Sequence, residues 1–506
     1  MRAARPVLSS LVLAAFLGSA LLPVLAGSSD ELTLSIESIL TREVFAPAIV
    51  AIDIRDLDTG RVLFEKNAAT NVKPASTMKL FTTAAILDAE DLHAAHDAAV
   101  AEVLFAEGIE WRPDATTVET AARLDSRGRI QGDVYLVGRG DPNLSDRLDW
   151  RDSKNPFDQL ASDLKVLGVR RIEGRLIGQD ALFPDASIPD SWTADDLVWS
   201  YGAEVSALSA FDSTIVLRLD PGERDGEAGR LSQSPQTGYL TIENRTTTGA
   251  EGSPQTLSLT RALGSRRVVL TGSIPRGGKT WEGELATPEP TLFATTLLKE
   301  ALARQGLPVA GDATVSHDPV PREVLPLASV RGPGIVEQIR IVNKESQNLH
   351  AETLLRRLGL AVFGDGSITA SLKAREQFLK AQGIRSETNA MYDGSGLSRS
   401  DLVTARSLVD LLAAMSRHPR ARAFRDSLPI AGVDGTLKRR MVGTKAEGRV
   451  FAKTGSIRHV NALAGYVDTA SGRHLVFSIV VNHHTRPSRE VTLAMDEICA
   501  LLVDLK

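Results

Sequence analysis

Residues 48–66, AIVAIDIRDLDTGRVLFEK, alternate apolar and polar positions on either side of Asp58-Thr59-Gly60, which predicts two antiparallel strands joined by a tight turn. After Lys73-Pro74 the period changes. Residues 76–87, STMKLFTTAAIL, carry apolar side chains at helical spacing, with the helix starting at or just before Ser76. From about residue 100 to 287 the chain reads as short alternating strands between Gly, Pro and Asp turns, as at 132–138, 213–219, 239–244, 255–260 and 267–272. This middle region is expected to be mainly β. Residues 288–306 read as a loop and then a helix, and amphipathic helical patterns follow at 335–360, 368–382 and 401–417. The chain then ends β-β-β-α, with strands at 449–455, 462–468 and 473–483. Those strands have the pattern to complete a sheet begun by the 48–66 hairpin. The expectation is therefore an α/β (α+β) protein: an antiparallel sheet flanked by helices, built from residues 27–99 and 288–506, with residues 100–287 inserted. No internal repeat or low-complexity tract interrupts this plan.

The first residues follow a different logic. Met1-Arg2-Ala3-Ala4-Arg5 brings two positive charges, residues 7–25 are apolar apart from three serines, and Val24-Leu25-Ala26 supplies a signal-peptidase exit. This predicts a secretory signal over residues 1–26 and an exported chain, periplasmic or otherwise extracytoplasmic. Pro23 and the exit sequence weigh against an uncleaved anchor. No cysteine stands at the exit, which excludes a lipidated N-terminus there. No later segment is apolar enough to span a bilayer, and the helical pattern at 488–506 lacks the basic face of a membrane-surface helix.

Composition narrows the function. At 506 residues, 43% hydrophobic and 24% charged, the chain is an ordinary globular protein with room for two to four domains. Lys plus Arg number 58 against 63 Asp plus Glu, a net charge of −5, so no overall field exists to hold a nucleic acid. One cysteine, Cys499, forms neither an intrachain disulfide nor a Cys-rich zinc cluster. The nine histidines are scattered, with only His93/His96 and His483/His484 close in sequence, and no metal or cofactor is expected.

Ser76-Thr77-Met78-Lys79 puts a hydroxyl and an amine three positions apart, on one helix face. A serine becomes a nucleophile when a base takes its proton, and a lysine serves as that base once burial or neighbouring cations make it neutral. Bringing its pKa from ~10.4 to near 7 takes about 4 to 5 kcal/mol. The spacing alone is weak: Ser162 and Lys165 match it too, and Ser153 and Asn155 match S-x-N. Ser162 reads as the interior of a helix begun by Pro156, where its N–H is already bonded. Ser76 stands at a helix start, where N–H groups are free for an oxyanion. Two further motifs follow in order: Ser346-Gln347-Asn348 at a helix start, and Lys453-Thr454-Gly455-Ser456 on a strand. Ser346 suits proton relay, and Asn348 suits hydrogen bonding to the lysine and to a substrate amide. Lys453 and Thr454 suit a substrate carboxylate, with Lys453 also repelling charge on Lys79, and Gly455 lets a peptide lie along the strand edge.

These residues resemble the active-site serine penicillin-recognising enzymes, and more closely the D-alanyl-D-alanine carboxypeptidase/endopeptidase family of class C low-molecular-mass penicillin-binding proteins. The likeness spans nearly the whole chain after the signal. It rests on PASTMK at 74–79, GRGDPNL at 138–144, YGAEVSALS at 201–209, KESQNLHAE at 344–352, DGSGLSR at 393–399, DGTL at 434–437 and AKTGS at 452–456. The resemblance implies a β-lactamase/transpeptidase-like domain with two inserted, mainly β domains, one nested in the other. It implies that Ser76 is acylated by peptidoglycan stem peptides ending in D-alanyl-D-alanine, or by β-lactam antibiotics as covalent inhibitors. The N–H groups of Ser76 and Ser456 would form the oxyanion hole. It also implies that Asp196, Tyr201 and Arg399 meet the far end of the stem peptide; a cap and a core aromatic are the structural alternatives for the first two. At position 458 this chain carries Arg where some relatives carry an uncharged polar residue, which bears on side-chain preference.

A serine β-lactamase would share the acylation apparatus, but no E-x-x-L-N segment follows the second motif to supply the deacylating carboxylate of class A enzymes. A catalytically weak cell-wall-binding module is the reading from another class, opposed by the intact set of five motif residues. The sequence leaves the oligomeric state open, a homodimer included.

Overall fold

The structure is a computed structural model describing residues 26–89, 115–145, 155–385 and 387–506. The expected signal lies outside the described residues except for Ala26. Five antiparallel strands form one sheet in the order Val450–Ile457, Val460–Asp468, His474–Asn482, Ile49–Asp56, Val62–Lys66. The hairpin and the C-terminal strands thus share one sheet, as their patterns predict, joined where Ile49 faces Asn482 and Asp56 faces Leu475.

Val460–Asp468 and His474–Asn482 are buried on both faces, so apolar side chains point both ways rather than alternating with polar ones. Ile52, Ile54, Leu463, Phe477 and Ile479 pack under the helices Ala26–Leu40 and Ser488–Val503. Ala51, Ala462, Ala464, Tyr466 and Val480 face the helices Lys79–Asp88, Ile335–Lys344, Asn348–Phe363 and Ala405–Met415. The small residues on this second face let the Ser76 turn and its helix lie close to the sheet. The pattern over 335–360 proves to be two helices, broken at residues 345–347, where Ser346 takes a left-handed φ of 61°.

The middle region carries the predicted short strands. One five-stranded sheet runs Ala313–Ser316, Leu176–Gln179, Val134–Val137, Ala115–Thr120, Leu325–Arg331; two three-stranded sheets and a two-stranded one accompany it. This corrects the expected return at residue 288. Strands 313–316 and 325–331 pair with strands from 115–179, and helix Pro290–Arg304 buries Phe293, Leu297 and Leu302 against Leu136, Leu160 and Leu176. The chain rejoins the helices of the first sheet at Ile335. Loop-then-helix is a local reading, and nothing local in 288–331 reveals which sheet claims it.

Candidate active site

The site begins in a strained turn. Ala75 has φ 46°, and residues Ala75–Met78 form one 3-10 turn that runs into helix Lys79–Asp88. The turn is wedged from outside by Gly396, where a Cβ would stand 1.9 Å from the Ala75 carbonyl oxygen. Glycine is required there on two counts, since its own φ is 79°.

Lys79 is 0% exposed and its Nζ has three partners: Ser76 Oγ at 2.9 Å, Asn348 Oδ1 at 2.6 Å and the Ser395 carbonyl at 2.7 Å. Burial lowers its pKa to about 7, against the opposing pull of Asp393, Glu352 and Asp401. A neutral amine donates two hydrogens, to Asn348 and Ser395, and turns its lone pair to the Ser76 hydroxyl. Lys453, also fully buried, donates to Ser346 Oγ at 2.8 Å and to the Thr454 carbonyl at 3.0 Å. Burial first, and then the Lys79 charge, hold Lys453 well below the usual lysine range. Burial is thus the first cause for both lysines, and the expected repulsion between them works in the same direction.

Ser346 and Asn348 arrive on the break between two helices, which Lys344 pins through an ion pair to Asp434 at 2.6 Å. Asn348 Nδ2 donates to the Tyr201 carbonyl at 2.7 Å, tying the second motif to the inserted region. Lys453 to Ser456 lie on an outermost strand of the sheet, whose outer side is bridged near Phe451 by Ile430. Gly455 packs on the Ser76 turn: a Cβ there would stand 2.7 Å from the Pro74 carbonyl oxygen. Thr454 Oγ1 donates to Thr436 Oγ1 at 2.7 Å.

Ser76, Ser346, Asn348 and Ser456 line a cavity of about 560 Å³, together with Asp196, Tyr201, Arg399 and Arg458. Tyr201 is 45% exposed, so it is a cavity wall rather than a core aromatic. Asp196 keeps its turn role, accepting from Thr193 Oγ1 at 2.6 Å, and also faces Arg399 at 3.5 Å. Ser162 sits within helix Pro156–Val166, and Lys165 bonds the Gln305 carbonyl, far from this assembly in the fold. Ser153, His93 and His96 lie outside the described residues. A second hollow of about 600 Å³, lined by Asp180, Glu204, Glu289 and His317, contains none of the candidate site residues. Sequence reasoning gave no role to Glu352, Asp393, Ser395 or Thr436; their one signal was membership of the segments 344–352, 393–399 and 434–437 that carry the resemblance.

A serine hydroxyl against a buried lysine, on an antiparallel sheet covered by helices, is the arrangement of a serine acyl-transfer enzyme. The sequence pattern of the D-Ala-D-Ala carboxypeptidase 3 (S13) family matches residues 32–502. A D-alanyl-D-alanine carboxypeptidase of Actinomadura sp. (strain R39) is 34% identical over 481 residues, covering 92% of this chain and 84% of the relative. D-alanyl-D-alanine carboxypeptidase DacB of Haemophilus influenzae is 24% identical over 454 residues, 88% of each chain. The solved structure of penicillin binding protein 4 from Haemophilus influenzae aligns with a TM-score of 0.76 at 20% identity, over 92% of this chain and 98% of that one, and shares the fold. The chain belongs to the D-Ala-D-Ala carboxypeptidase 3 (S13) family. Among the described residues, no helix is long and apolar enough to cross a membrane.

Proposed function

We propose that the protein is an exported D-alanyl-D-alanine carboxypeptidase/endopeptidase that cuts peptidoglycan stem peptides and cross-links through an acyl-enzyme on Ser76. The observation that carries this reading is the 2.9 Å contact between Ser76 Oγ and a buried Lys79 whose pKa is lowered to about 7. Neutral Lys79 takes the Ser76 proton as Oγ attacks the carbonyl before the terminal D-alanine. The oxyanion gathers at the N–H groups of Ser76 and Ser456. Collapse breaks the peptide bond, and the departing amine takes its proton from Lys79 through Ser346. Water then attacks the ester, with Lys79 again as base, and frees Ser76. A cross-link is cut by the same chemistry, with the amine-bearing strand as leaving group.

The peptide backbone runs antiparallel to the open edge at residues 453–456, its terminal carboxylate near Lys453 and Thr454. Asp196, Tyr201, Arg399 and Arg458 meet the stem-peptide side chain, a role their shared cavity supports. β-Lactams acylate the same serine, since their strained amide presents the same carbonyl. Residues 27–89 with 335–506 form the catalytic unit, and the segment ending at Arg331 is the insertion. A fluorescent penicillin should label the wild type covalently and leave Ser76→Ala unlabelled; equal labelling of both would refute the reading. Mass analysis of the products from purified wall fragments then identifies the bond cut.

A further inference from the structure

Three buried carboxyl groups beneath Lys79 take no part in the reaction as described: Glu352, Asp393 and Asp401, each at most 1% exposed. A buried acid is costly unless its interactions repay it. Glu352 stands one turn beyond Asn348 on the same face of helix Asn348–Phe363. Its carboxylate accepts the backbone N–H groups of Gly394, at 2.9 and 3.1 Å, and of Ser395, at 2.8 Å. The carbonyl of that same Ser395 accepts from Lys79 Nζ. The rest of the turn is held as closely. Asp393 accepts from the N–H groups of Gly396 and Ser398 and from the Trp192 indole, Arg375 donates to the Asp393 carbonyl, and Thr82 donates to the Gly394 carbonyl.

A neutral amine has one lone pair and two hydrogens. If the lone pair is to face Ser76, both hydrogens need acceptors elsewhere, and Asn348 Oδ1 and the Ser395 carbonyl are those two. With the Ser395 acceptor displaced, Nζ can rotate its lone pair away from the serine. Resting on the reading of Ser76 and Lys79 above, we propose that Glu352 is a positioning residue. By holding the amides of residues 394 and 395 it aims the Ser395 carbonyl at Lys79, the acceptor that leaves the lone pair of the amine facing Ser76.

The charged groups around the pair are Asp393 and Asp401 beside the turn, Arg375 on helix Ile368–Ala381, Arg356 on the helix of Glu352 itself, and Lys453 on the facing strand. Carboxylates here favour the protonated lysine, Asp393 most and Glu352 next. Burial, followed by Asp393, pushes the Glu352 carboxyl up. That carboxyl, raised to about 7, ionises where Lys79 loses its proton, so removing its charge while keeping its acceptor oxygen should lower the pH at which activity reaches half its plateau.

The test is the acylation rate of the full chain with a fluorescent penicillin from pH 5 to 9, in Glu352→Gln and Glu352→Ala, with Ser76→Ala as the blank. Glu352→Gln should keep its plateau rate within about threefold and shift its midpoint down by at least about half a pH unit. Glu352→Ala, which deletes the acceptor, should lose at least about tenfold of its plateau rate. A glutamine variant with the wild-type midpoint, or a folded alanine variant acylating at the wild-type rate, would overturn the proposal. Should the alanine variant fail to fold, the midpoint of the glutamine variant decides. An unlabelled wild type would overturn the Ser76 reading itself, and this proposal with it.

Discussion

Acylation of Ser76 with neutral Lys79 as the proposed base has to follow the fraction of that amine without a proton, and the burial of Lys79 assigns where that fraction changes. The pKa falls from 10.5 to about 7, with desolvation as the largest cause. A shift of that size is worth about 5 kcal/mol, since each unit is about 1.4 kcal/mol. With a midpoint near 7, about 9% of the amine is neutral at pH 6 and about 91% at pH 8, so the rate should rise about tenfold and then level off. A lysine with an ordinary pKa would behave differently. Its neutral fraction would climb about a hundredfold over the same interval and keep climbing tenfold per unit through pH 9. Stopped-flow measurement of second-order acylation by a fluorescent penicillin, from pH 5 to 9, separates the two curves. A rate still rising steeply above pH 8, or flat throughout, would show that Lys79 is not the neutral base.

Lys79→Ala should fold, because a small side chain replaces a buried amine, yet acylate at least ~100-fold more slowly in the same assay. Gly396→Ala puts a Cβ 1.9 Å from the Ala75 carbonyl at a residue with φ 79°, so it should disturb the Ser76 turn. A loss of at least about tenfold in acylation and a lower Tm by calorimetry are expected, from clash and backbone strain together. Asp196→Asn and Arg399→Ala should raise KM for stem peptides at least about fivefold, the loss of an ion-pair contact worth about 1 kcal/mol. They should leave penicillin labelling near wild type, because the drug lacks the far end of the stem peptide. Equal effects on both ligands would place these residues in the acylation machinery.

How much of this was legible in the chain varies with the range of the forces involved. The hairpin at 48–66, the helix after Ser76 and the three final strands appear where hydrophobic period and turn residues put them, because those are set by neighbours a few positions away. The helix start at Ser346-Gln347-Asn348 was legible too, whereas the fate of 288–331 depends on distant partners: Thr120 and Ala115 for one strand, Leu176 for another. The serine and two lysines stood out as ordered motifs, whereas Glu352 and Ser395 did not. A carboxylate holding two amides, and a carbonyl holding an amine, leave no pattern in spacing.

By itself the sequence determined the local conformations, the chemistry on offer and the preference for Ser76 over Ser162, the last through helix-end hydrogen bonding. Only the tertiary structure decided that Lys79 is dry, that Asn348 and Ser395, 269 and 316 residues away, are its acceptors, and that Lys453 lies at a sheet edge. The reason is physical. Desolvation and hydrogen-bond geometry belong to the packed assembly, and a chain read in order contains the groups but not the distances between them.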